Sequence, residues 1–536
     1  MEDRKIIIEE TNGEKTVLDL LQGRGVYVPA YCGGSGTCGK CRVRILNDPP
    51  AVTEAERELL SADDLEAGVR LACLTEPEAG MEVEILAGDE AEMKVETSFS
   101  VSAEALRQPD GQGSGKDLSA PAKASEKGSG QNEQGSQDRQ SGQDEQSGQV
   151  EADSTGSPVV AAVDIGTTTI VMSAVDAGSG QVLGTAAGVN HQRAFGADVI
   201  SRIDASNRGK GAMLRSTILR DLDLLQGQLG LPAGTRRVIS GNSTMQHLLQ
   251  GLSCRTLGVA PYTPVDISLH SYENMTILPG ISTFVGADIV SGIVACGMDR
   301  SEEVCILVDL GTNGEMAIGN RDRIVCASTA AGPAFEGGNI SCGMAGIPGA
   351  ISAVTITDGR AAVETIGGAP PAGLCGTGVI EVMYELLKEE IVDETGCLDD
   401  EWIEDGFPLA EGVTFSAKDV RELQLAKAAV RAGMEVLLQA FGMDYDGVGK
   451  VYLAGGFGQK INLEKAVGIG LLPEELLDRM EPVGNSSLAG AVMAAQDPSV
   501  MERMARTAEM AEETALAENP LFSDLYMEHM FFPEQD

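Results

Sequence analysis

The chain has few basic residues for its size, and this shortage excludes several classes of partner. Against 81 Asp and Glu, the 536 residues contain only 39 Lys and Arg, which gives a formal net charge of −42. Proteins that bind nucleic acids or anionic membrane surfaces neutralise phosphates with Lys and Arg. We therefore expect neither a nucleic acid nor a membrane among the partners of this protein.

A long apolar run and a secretory signal are also absent. The longest apolar stretch, residues 281–298, contains Asp288 and several glycines, so a buried strand, turn and helix explain it better than a membrane span. The first residues carry charges and lack the apolar core of a signal peptide. We therefore expect a cytoplasmic protein, in which eleven cysteines favour metal ligation or free thiols over disulfides.

Aromatic residues make up only 4% of the chain, but hydrophobic residues as a whole make up 43%, so core material is plentiful. The length predicts two or more domains. We expect a first domain at 1–90, a flexible acidic linker at 91–157, two lobes of a larger domain at 158–300 and 301–515, and an acidic tail at 516–536.

The predicted linker is poor in residues that form a core. Between Gln108 and Ser157, only Leu118 and Val150 have large apolar side chains. Burial in such a segment cannot offset the conformational entropy lost on ordering. Because fifty flexible residues span roughly 40 Å on average, the linker would let the first domain move relative to the second.

Four cysteines with an informative spacing lie in the first domain. Cys32, Cys38, Cys41 and Cys73 form C-x5-C-x2-C-x31-C, which is close to the plant-type pattern that holds a [2Fe-2S] cluster. The intervening glycines let the backbone approach the cluster and direct N–H groups at its sulfurs. Zinc is the alternative occupant, but zinc sites usually use two short Cys pairs, and only Cys38 and Cys41 form one.

The elements around these cysteines predict a small α+β domain. A helix is predicted at 53–61, where Thr53 and Glu56 form a capping box. Strands are predicted at 5–9, 41–46 and 81–86. With these elements the segment resembles the ferredoxin β-grasp domain.

Two segments of the larger domain repeat one design. Residues 161–175 and 306–320 each contain an apolar strand that ends in Asp, a Gly-Thr turn and a second strand. Such a hairpin can surround nucleotide phosphates with N–H groups and Thr hydroxyls, while its Asp reaches Mg²⁺ or the waters of Mg²⁺. The alternative is a pair of tight turns in a Rossmann-like sheet; no GxxxxGK[ST] sequence supports a P-loop.

This duplication resembles the actin, sugar kinase and heat-shock chaperone ATPase superfamily, in which two ribonuclease H-like α/β lobes close on ATP. The resemblance implies ATP with Mg²⁺ as ligand and an adenosine-side element at 451–470. It implies catalytic roles for Asp164 and Asp309. It also implies nucleotide binding by Gly166, Thr167, Thr168, Gly311, Thr312, Asn313, Gly455, Gly456 and Gly458.

Four further residues support weaker hypotheses. Glu336 lies near a predicted phosphate-side turn, where it can assist water activation. His247 lies in an apolar segment and is better explained as a structural histidine. Cys342 and Cys375 can be metal ligands, as in ATPase activators of 2-hydroxyacyl-CoA dehydratases, but buried thiols explain them better.

The two domains together are more specific than either one. A ferredoxin domain, a linker and an ATPase domain with VDIGTTT, SGNSTMQHLL, PGISTFVGADIVSGI, VDLGTNGE and AGPAFEGG resemble the ATP-dependent reductive activators of corrinoid proteins. The resemblance implies an ATP-hydrolysing iron–sulfur enzyme from an anaerobe that reduces inactive Co(II) corrinoid to Co(I) in methyltransferase systems. Its implied partners are the corrinoid protein, an upstream low-potential electron donor and, in a homodimer, a second copy of the chain.

Simple energetics make this activity feasible. Plant-type [2Fe-2S] clusters lie near −400 mV, and a climb of about 120 mV costs ~2.8 kcal/mol. ATP turnover can supply that if nucleotide states bind the corrinoid protein differently. Two alternatives stay open: ATP-gated transfer to another low-potential acceptor, and a redox-sensing nucleotide-binding scaffold.

Overall fold

The first domain is built on one antiparallel sheet. The computed structural model describes residues 5–11, 15–86, 98–99 and 158–534. In the first domain the strands pair in the order β1-β4-β2-β3, with β1 (Lys5–Ile7), β2 (Arg42–Ile45), β3 (Val69–Leu71) and β4 (Glu82–Ile85). Three helices accompany the sheet: α1 (Val17–Gly23), α2 (Glu54–Leu59) and α3 (Ala62–Glu66).

The predicted capping box begins α2. The Thr53 hydroxyl accepts from the Glu56 N–H at 3.3 Å, and the Glu56 carboxylate accepts from the Thr53 N–H at 2.9 Å. Glu56 also accepts from the Leu71 N–H at 2.8 Å, which ties α2 to β3 close to Cys73. The ferredoxin-type fold expected for this part of the chain is confirmed.

The first lobe of the larger domain contains a six-stranded mixed sheet. Its order is β7-β6-β5-β8-β10-β9, and β5 runs parallel to β8. The strands are β5 (Val159–Ile165), β6 (Thr169–Asp176), β7 (Val182–Val189), β8 (Arg237–Gly241), β9 (His270–Tyr272) and β10 (Met275–Ile277). The helices are α4 (Val199–Ala205), α5 (Gly211–Gln228), α6 (Ser243–Gln250) and α7 (Ala287–Cys296).

The second lobe contains another six-stranded sheet and two smaller ones. Its strands are β11 (Val304–Leu310), β12 (Gly314–Gly319), β13 (Ile324–Thr329), β14 (Ala350–Thr357), β15 (Arg360–Thr365), β16 (Gly373–Leu374), β17 (Phe407–Ala410), β18 (Val413–Phe415), β19 (Val448–Ala454), β20 (Met480–Gly484) and β21 (Ala511–Glu513). Its helices are α8 (Gly376–Lys388), α9 (Ala417–Phe441), α10 (Gly455–Gly458), α11 (Leu463–Gly468), α12 (Ser486–Gln496), α13 (Pro498–Met510) and α14 (Pro520–Glu528).

The two large sheets repeat the same topology. The second sheet has the order β20-β19-β11-β12-β13-β21, so β13-β12-β11-β19-β20 corresponds to β7-β6-β5-β8-β10 of the first. In both sheets the first strand begins an antiparallel hairpin and pairs in parallel with the fourth. The duplicated two-lobed α/β fold expected from the repeated Asp-Gly-Thr hairpins is therefore confirmed.

Helices α7 and α12 lie between the two sheets. Val290 and Val294 of α7 pack in the core of the first sheet with Leu488 of α12, while Ile289 and Ile293 face the second sheet. A helix that is apolar on all sides is normally buried, which explains the apolar stretch at 281–298. Across the part of the chain that the structure describes, no helix is both long and apolar enough to cross a membrane.

Small residues let α7 and α12 approach each other closely. A Cβ at Gly490 would lie 2.5 Å from the Ser291 carbonyl oxygen. A Cβ at Gly292 would lie 2.8 Å from both the Leu307 side chain and the Ser486 hydroxyl. The helix contact therefore depends on the missing side chains of these two glycines.

Ser98 and Phe99, which lie in the predicted linker range, are attached to the second domain. Phe99 is 4% exposed and forms an antiparallel bridge with Gly484. The Ser98 carbonyl accepts from the Asn485 N–H at 3.1 Å. Only residues 87–97 lie between the first domain and this anchor. A segment of this length cannot span more than about 40 Å. The other residues of the predicted linker lie outside the described residues.

The chain end departs from the predicted acidic tail at 516–536. This range contains α14, and Phe532 is only 4% exposed. The buried Lys427 ammonium donates to the carbonyls of His529 and Phe531 at 2.6 and 2.7 Å. Apolar residues between the acidic ones therefore pack this segment against α9.

The α7–α12 contact predicts opposite effects for two glycine substitutions. Gly490→Ala should destabilise the protein by about 1–3 kcal/mol, because the added methyl group overpacks the contact. The control Gly227→Ala, at an open position in α5, should stabilise it by about 0.5–1 kcal/mol. Chemical unfolding measures both, and a neutral Gly490→Ala would contradict the close packing.

Candidate functional site

The four cysteines of the first domain lie in two pairs. Cys32 and Cys38 are hydrogen-bonded to each other, and the Cys41 and Cys73 sulfurs lie 3.3 Å apart. Two pairs of thiolates match a cluster of two irons that each take two protein sulfurs. Among the described residues, no three His, Cys, Asp or Glu side chains surround a point where one ion could bind.

The loop around the sulfurs fits an iron–sulfur cluster in conformation and charge. Gly33, Gly34, Gly36 and Gly39 all have positive φ, from +63° to +91°, which side chains disfavour. Burial alone would raise the pKa of Cys32, but hydrogen bonds from Ser35, the Thr37 backbone and Cys38 lower this pKa to about 5. At Cys32 a thiolate, the form that binds iron, is therefore favoured at neutral pH. Burial raises the pKa of Cys38, and the hydrogen bond with Cys41 raises that of Cys73, so these two thiols release their protons when a metal binds.

The two predicted phosphate loops face each other across the cleft between the lobes. The Glu336 carboxylate accepts from the Thr168 hydroxyl of the first loop and from the Thr312 hydroxyl of the second, both at 3.1 Å. The Thr167 hydroxyl accepts from the Asn242 amide at 3.1 Å. One hydroxyl from each predicted phosphate loop, that of Thr168 and that of Thr312, thus meets the same carboxylate.

Asp164, at the end of β5, is held by the start of α12. The Asn485 amide and the Ser487 hydroxyl donate to its two carboxylate oxygens at 2.8 and 2.7 Å. Its deep position in the cleft raises the pKa of Asp164, and these two hydrogen bonds oppose that rise. The bonds fix the direction of the carboxylate.

Acidic side chains crowd the cleft around Asp309, which lies near the end of β11. Burial raises the pKa of Asp309 to about 7, with further contributions from Asp288, Asp164 and Glu336. The pKa values of Asp288 and Glu315 are raised too, first by burial and then by neighbouring carboxylates. A divalent cation relieves such repulsion, and Mg²⁺ is usually held by one or two carboxylates, waters and phosphates.

The predicted adenosine-side element lies in the same cleft. Gly455 has a φ of +83°, and a Cβ there would lie 2.8 Å from an Asp309 carboxylate oxygen. Phe457 stacks on Phe335 at 5.0 Å between ring centroids. Gly458 is buried, whereas Gly456 is exposed. The three glycines therefore follow β19 and lie in the cleft. Phe457, which lies among them, contacts Phe335, the residue next to Glu336.

Sequence reasoning missed several residues that shape this site. Asn485 and Ser487 reach Asp164 from more than 300 positions away, and no local pattern indicates this contact. Asp288 was visible as the acidic residue in an apolar stretch, but its place among the cleft carboxylates was not. Glu315 follows the second Gly-Thr turn, and a glutamate there looks like an ordinary strand residue.

The remaining candidates have local partners. Both ring nitrogens of His247 are bonded, to the Ser243 carbonyl at 2.6 Å and the Val265 N–H at 2.9 Å, which confirms a structural histidine. Cys375 is buried and lies 3.2 Å from the Ile351 carbonyl oxygen. Cys342 is partly exposed, with the Gly412 carbonyl oxygen 3.9 Å from its sulfur.

Family models match three consecutive parts of the chain. Residues 1–78 match the 2Fe-2S iron-sulfur cluster binding domain, and residues 159–301 match the RACo middle region. Residues 303–536 match the C-terminal domain of RACo, the ASKHA domain. The matches place a cluster-binding domain and an ATPase-type domain in one chain.

Individual relatives extend this likeness. The corrinoid activation enzyme RamQ of Eubacterium limosum is 32% identical over 69% of this chain and 70% of its own length. The [Co(II) methylated amine-specific corrinoid protein] reductase of Methanosarcina barkeri is 28% identical over 46% of this chain and 50% of its own. A solved reductive activator for corrinoid, iron-sulfur protein is 26% identical, with a TM-score of 0.64 and coverage of 100% and 99%.

The paired sulfurs predict which cysteines hold iron. Cys41→Ser or Cys73→Ser should abolish the visible absorbance of the cluster and most of the bound iron and sulfide, because each removes a ligand. Cys397→Ser, at an exposed cysteine, is the matched control and should keep both. One zinc per chain without iron in the native protein would contradict this assignment.

The raised pKa of Asp309 predicts a pH dependence of stability. Unfolded Asp releases its proton near 3.8 and the folded protein near 7, so the nucleotide-free protein should lose stability as pH rises through this interval. Mg²⁺ needs the ionised carboxylate, so stabilisation by Mg-ATP should be larger at pH 8 than at pH 6.

Thermal unfolding of the native protein and of Asp309→Asn tests this. Asp309→Asn should raise the unfolding midpoint without nucleotide at pH 8 and reduce the gain from Mg-ATP. Asp322→Asn, on an exposed turn of the same lobe, should change neither. An Asp309→Asn protein with the native pH profile would refute the role of this carboxylate.

Proposed function

Because the chain belongs to the family of ATP-dependent reductive activators of corrinoid proteins, we propose that it uses ATP to reduce a partner protein's inactive Co(II) corrinoid to Co(I). The observation that supports this proposal is the presence, in one chain, of paired cysteines and of two Asp-Gly-Thr turns that meet at Glu336. The reaction moves one electron to cobalt and converts ATP and water to ADP and phosphate.

The cysteine loop is the electron-transfer site of this proposal. When bound to Cys32, Cys38, Cys41 and Cys73, a [2Fe-2S] cluster supplies one electron at a time near −400 mV. Ser35 and Thr37 on this loop are exposed, so a partner can approach this side of the site. The anchor at Ser98 keeps the first domain within about 40 Å of the ATPase cleft.

The cleft residues bind and activate ATP. The N–H groups and hydroxyls of Gly166–Thr168 and Gly311–Asn313 hold the phosphates, and the glycines at 455, 456 and 458 receive the adenosine. Asp164 and Asp309 hold Mg²⁺, directly or through its waters. The neighbouring carboxylates of the cleft repel one another, and the positive charge of Mg²⁺ would reduce this repulsion when Mg-ATP binds.

Glu336 has to change partners when ATP binds. Its carboxylate now accepts from the Thr168 and Thr312 hydroxyls, which the phosphates need. Once displaced, Glu336 or Asp309 can accept the proton of the water that attacks the terminal phosphorus. ATP would thus pull the two loops together through its phosphates in place of this carboxylate.

The need for an upstream electron donor follows from stoichiometry. Each Co(II) takes one electron, so an upstream low-potential donor must reduce the cluster again after every turnover.

The family resemblance also implies a homodimer. Sedimentation of the full chain at micromolar concentration decides this, with the mass of one or of two chains as outcomes.

ATP hydrolysis should depend on the corrinoid partner. ATPase activity should rise several-fold when a Co(II) corrinoid protein is added, because the state that drives reduction forms only in the complex. Asp309→Asn should lower this activity by about 10²-fold or more. Asp322→Asn should leave it unchanged.

Three outcomes separate this proposal from others. ATPase activity that ignores every Co(II) corrinoid protein, in a protein with an intact cluster, would contradict it. Stimulation by a different low-potential acceptor would assign the electron to that acceptor. Equal ATP affinity and partner binding in the oxidised and reduced protein would exclude a redox-sensing scaffold.

A further inference from the structure

The cysteine loop of the first domain docks on one short segment of the first lobe, residues 190–197. The Tyr31 carbonyl, next to Cys32, accepts from the Ala197 N–H at 2.9 Å. The Arg193 guanidinium lies 4.6 Å from the centre of the Tyr31 ring. A Cβ at Gly33 would lie 3.2 Å from the Phe195 carbonyl oxygen. The backbone next to a cluster ligand thus contacts the ATPase domain directly.

A second set of polar contacts holds the same interface. The Lys210 ammonium donates to the Asp19 carboxylate at 2.7 Å and to the Gln22 side-chain oxygen at 3.1 Å. The Gln22 amide donates to the Ala194 carbonyl at 2.5 Å. The side chains of Lys210 and Asp19 are largely buried, which strengthens an ion pair relative to an exposed one.

The other side of this docking segment is bonded to the first phosphate loop. Segment 190–197 begins directly after β7, and its first residue, Asn190, is fully buried. The Asn190 N–H donates to the Thr168 carbonyl and its amide donates to the Gly166 carbonyl, both at 2.9 Å.

Arg202 completes the link between the two sites. Its guanidinium donates to the Thr167 carbonyl at 2.6 Å and to the Gly196 carbonyl of the docking segment at 2.9 Å. The side chain is fully buried, and within the described residues its hydrogen-bond acceptors are all neutral. A buried cation without an anionic acceptor lies directly behind the loop that receives phosphates.

We propose that Asn190 and Arg202 couple nucleotide binding at residues 166–168 to docking of the first domain, so that each event favours the other. All three loop carbonyls accept from this pair, so the backbone of the phosphate loop is bonded directly to the docking segment and to Arg202. Bound phosphates stabilise the Arg202 charge and order the loop, and this ordering lowers the cost of holding segment 190–197 for Tyr31. By thermodynamic linkage, docking of the first domain strengthens nucleotide binding by the same factor.

This coupling gives ATP turnover a mechanical consequence. Bound nucleotide favours the docked position of the cluster domain on the first lobe; hydrolysis and release shift the equilibrium toward detachment, within the reach allowed by Ser98. The inference rests on the proposed function only in taking ATP as the ligand. Its test needs no cobalt, so its failure and a failure of corrinoid reduction are distinguishable.

Hydrogen exchange on the full-length, cluster-loaded protein tests the coupling directly. A non-hydrolysable ATP analogue with Mg²⁺ should slow exchange in α1 and in segment 190–197 by at least about fivefold, the lower limit of common allosteric couplings. Protection of the phosphate loop with unchanged exchange in α1 would overturn the proposal.

Two charge-matched variants test the reverse direction. Lys210→Glu places an anion against Asp19 and should undock the first domain, weakening nucleotide binding about fivefold or more. Arg208→Glu carries the same charge change two residues away, where Arg208 is exposed and pairs with Asp204; it should keep native affinity. If Lys210→Glu speeds exchange in α1 without changing the nucleotide Kd, the coupling is absent. If hydrogen exchange in α1 of Lys210→Glu equals that of the native protein, the substitution has not undocked the first domain. The exchange experiment on the native protein with and without nucleotide then decides.

Arg202→Lys separates coupling from charge. Lysine keeps the positive charge but, as a single compact ammonium, cannot reproduce the fork that reaches both Thr167 and Gly196. The variant should still load its cluster and bind nucleotide, while the nucleotide-dependent protection of α1 disappears. Protection at the native level in a folded variant would refute the role of Arg202. If the variant does not fold, the Lys210→Glu comparison decides.

Discussion

The close contact between α7 and α12 is the constraint on which the rest of the structure depends. Glycines at 292 and 490 bring two apolar helices together between the two sheets, where side chains would hold them apart. Where the two helices cross, Asn485 and Ser487 at the start of α12 donate hydrogen bonds to Asp164. Asp288 lies in the first turn of α7. The packing of these two helices therefore joins the lobes and also positions carboxylates of the cleft.

Several buried carboxylates lie close together in the cleft that results. Burial and neighbouring carboxylates raise the pKa values of Asp309 and Asp288, so folding opposes the ionised forms. In the proposed mechanism, Mg-ATP supplies a cation and takes the place of Glu336 between the two loops. Binding energy is thus coupled to the relative position of the lobes, as a protein that drives electron transfer with ATP requires.

Local patterns made the main chemistry predictable. The Cys spacing and the two Asp-Gly-Thr hairpins lie within short stretches, so their residues are close in the fold as well as in the sequence. Asn485, Ser487 and the docking contacts of Tyr31 depend on a helix or domain that returns from far along the chain. Phe99 and, just after the last helix, Met530 and Phe532 were visible signals, but their polar neighbours concealed that they are buried.

Under the proposed function, this chain reduces Co(II) corrinoid only while its ATPase domain hydrolyses ATP. The direct measurement mixes the reduced, cluster-loaded protein with a Co(II) corrinoid protein under anaerobic conditions and records visible spectra with and without Mg-ATP. If ATP hydrolysis drives the reduction, the Co(I) band develops only with Mg-ATP. Formation of Co(I) at the full rate without ATP would show that ATP is not required.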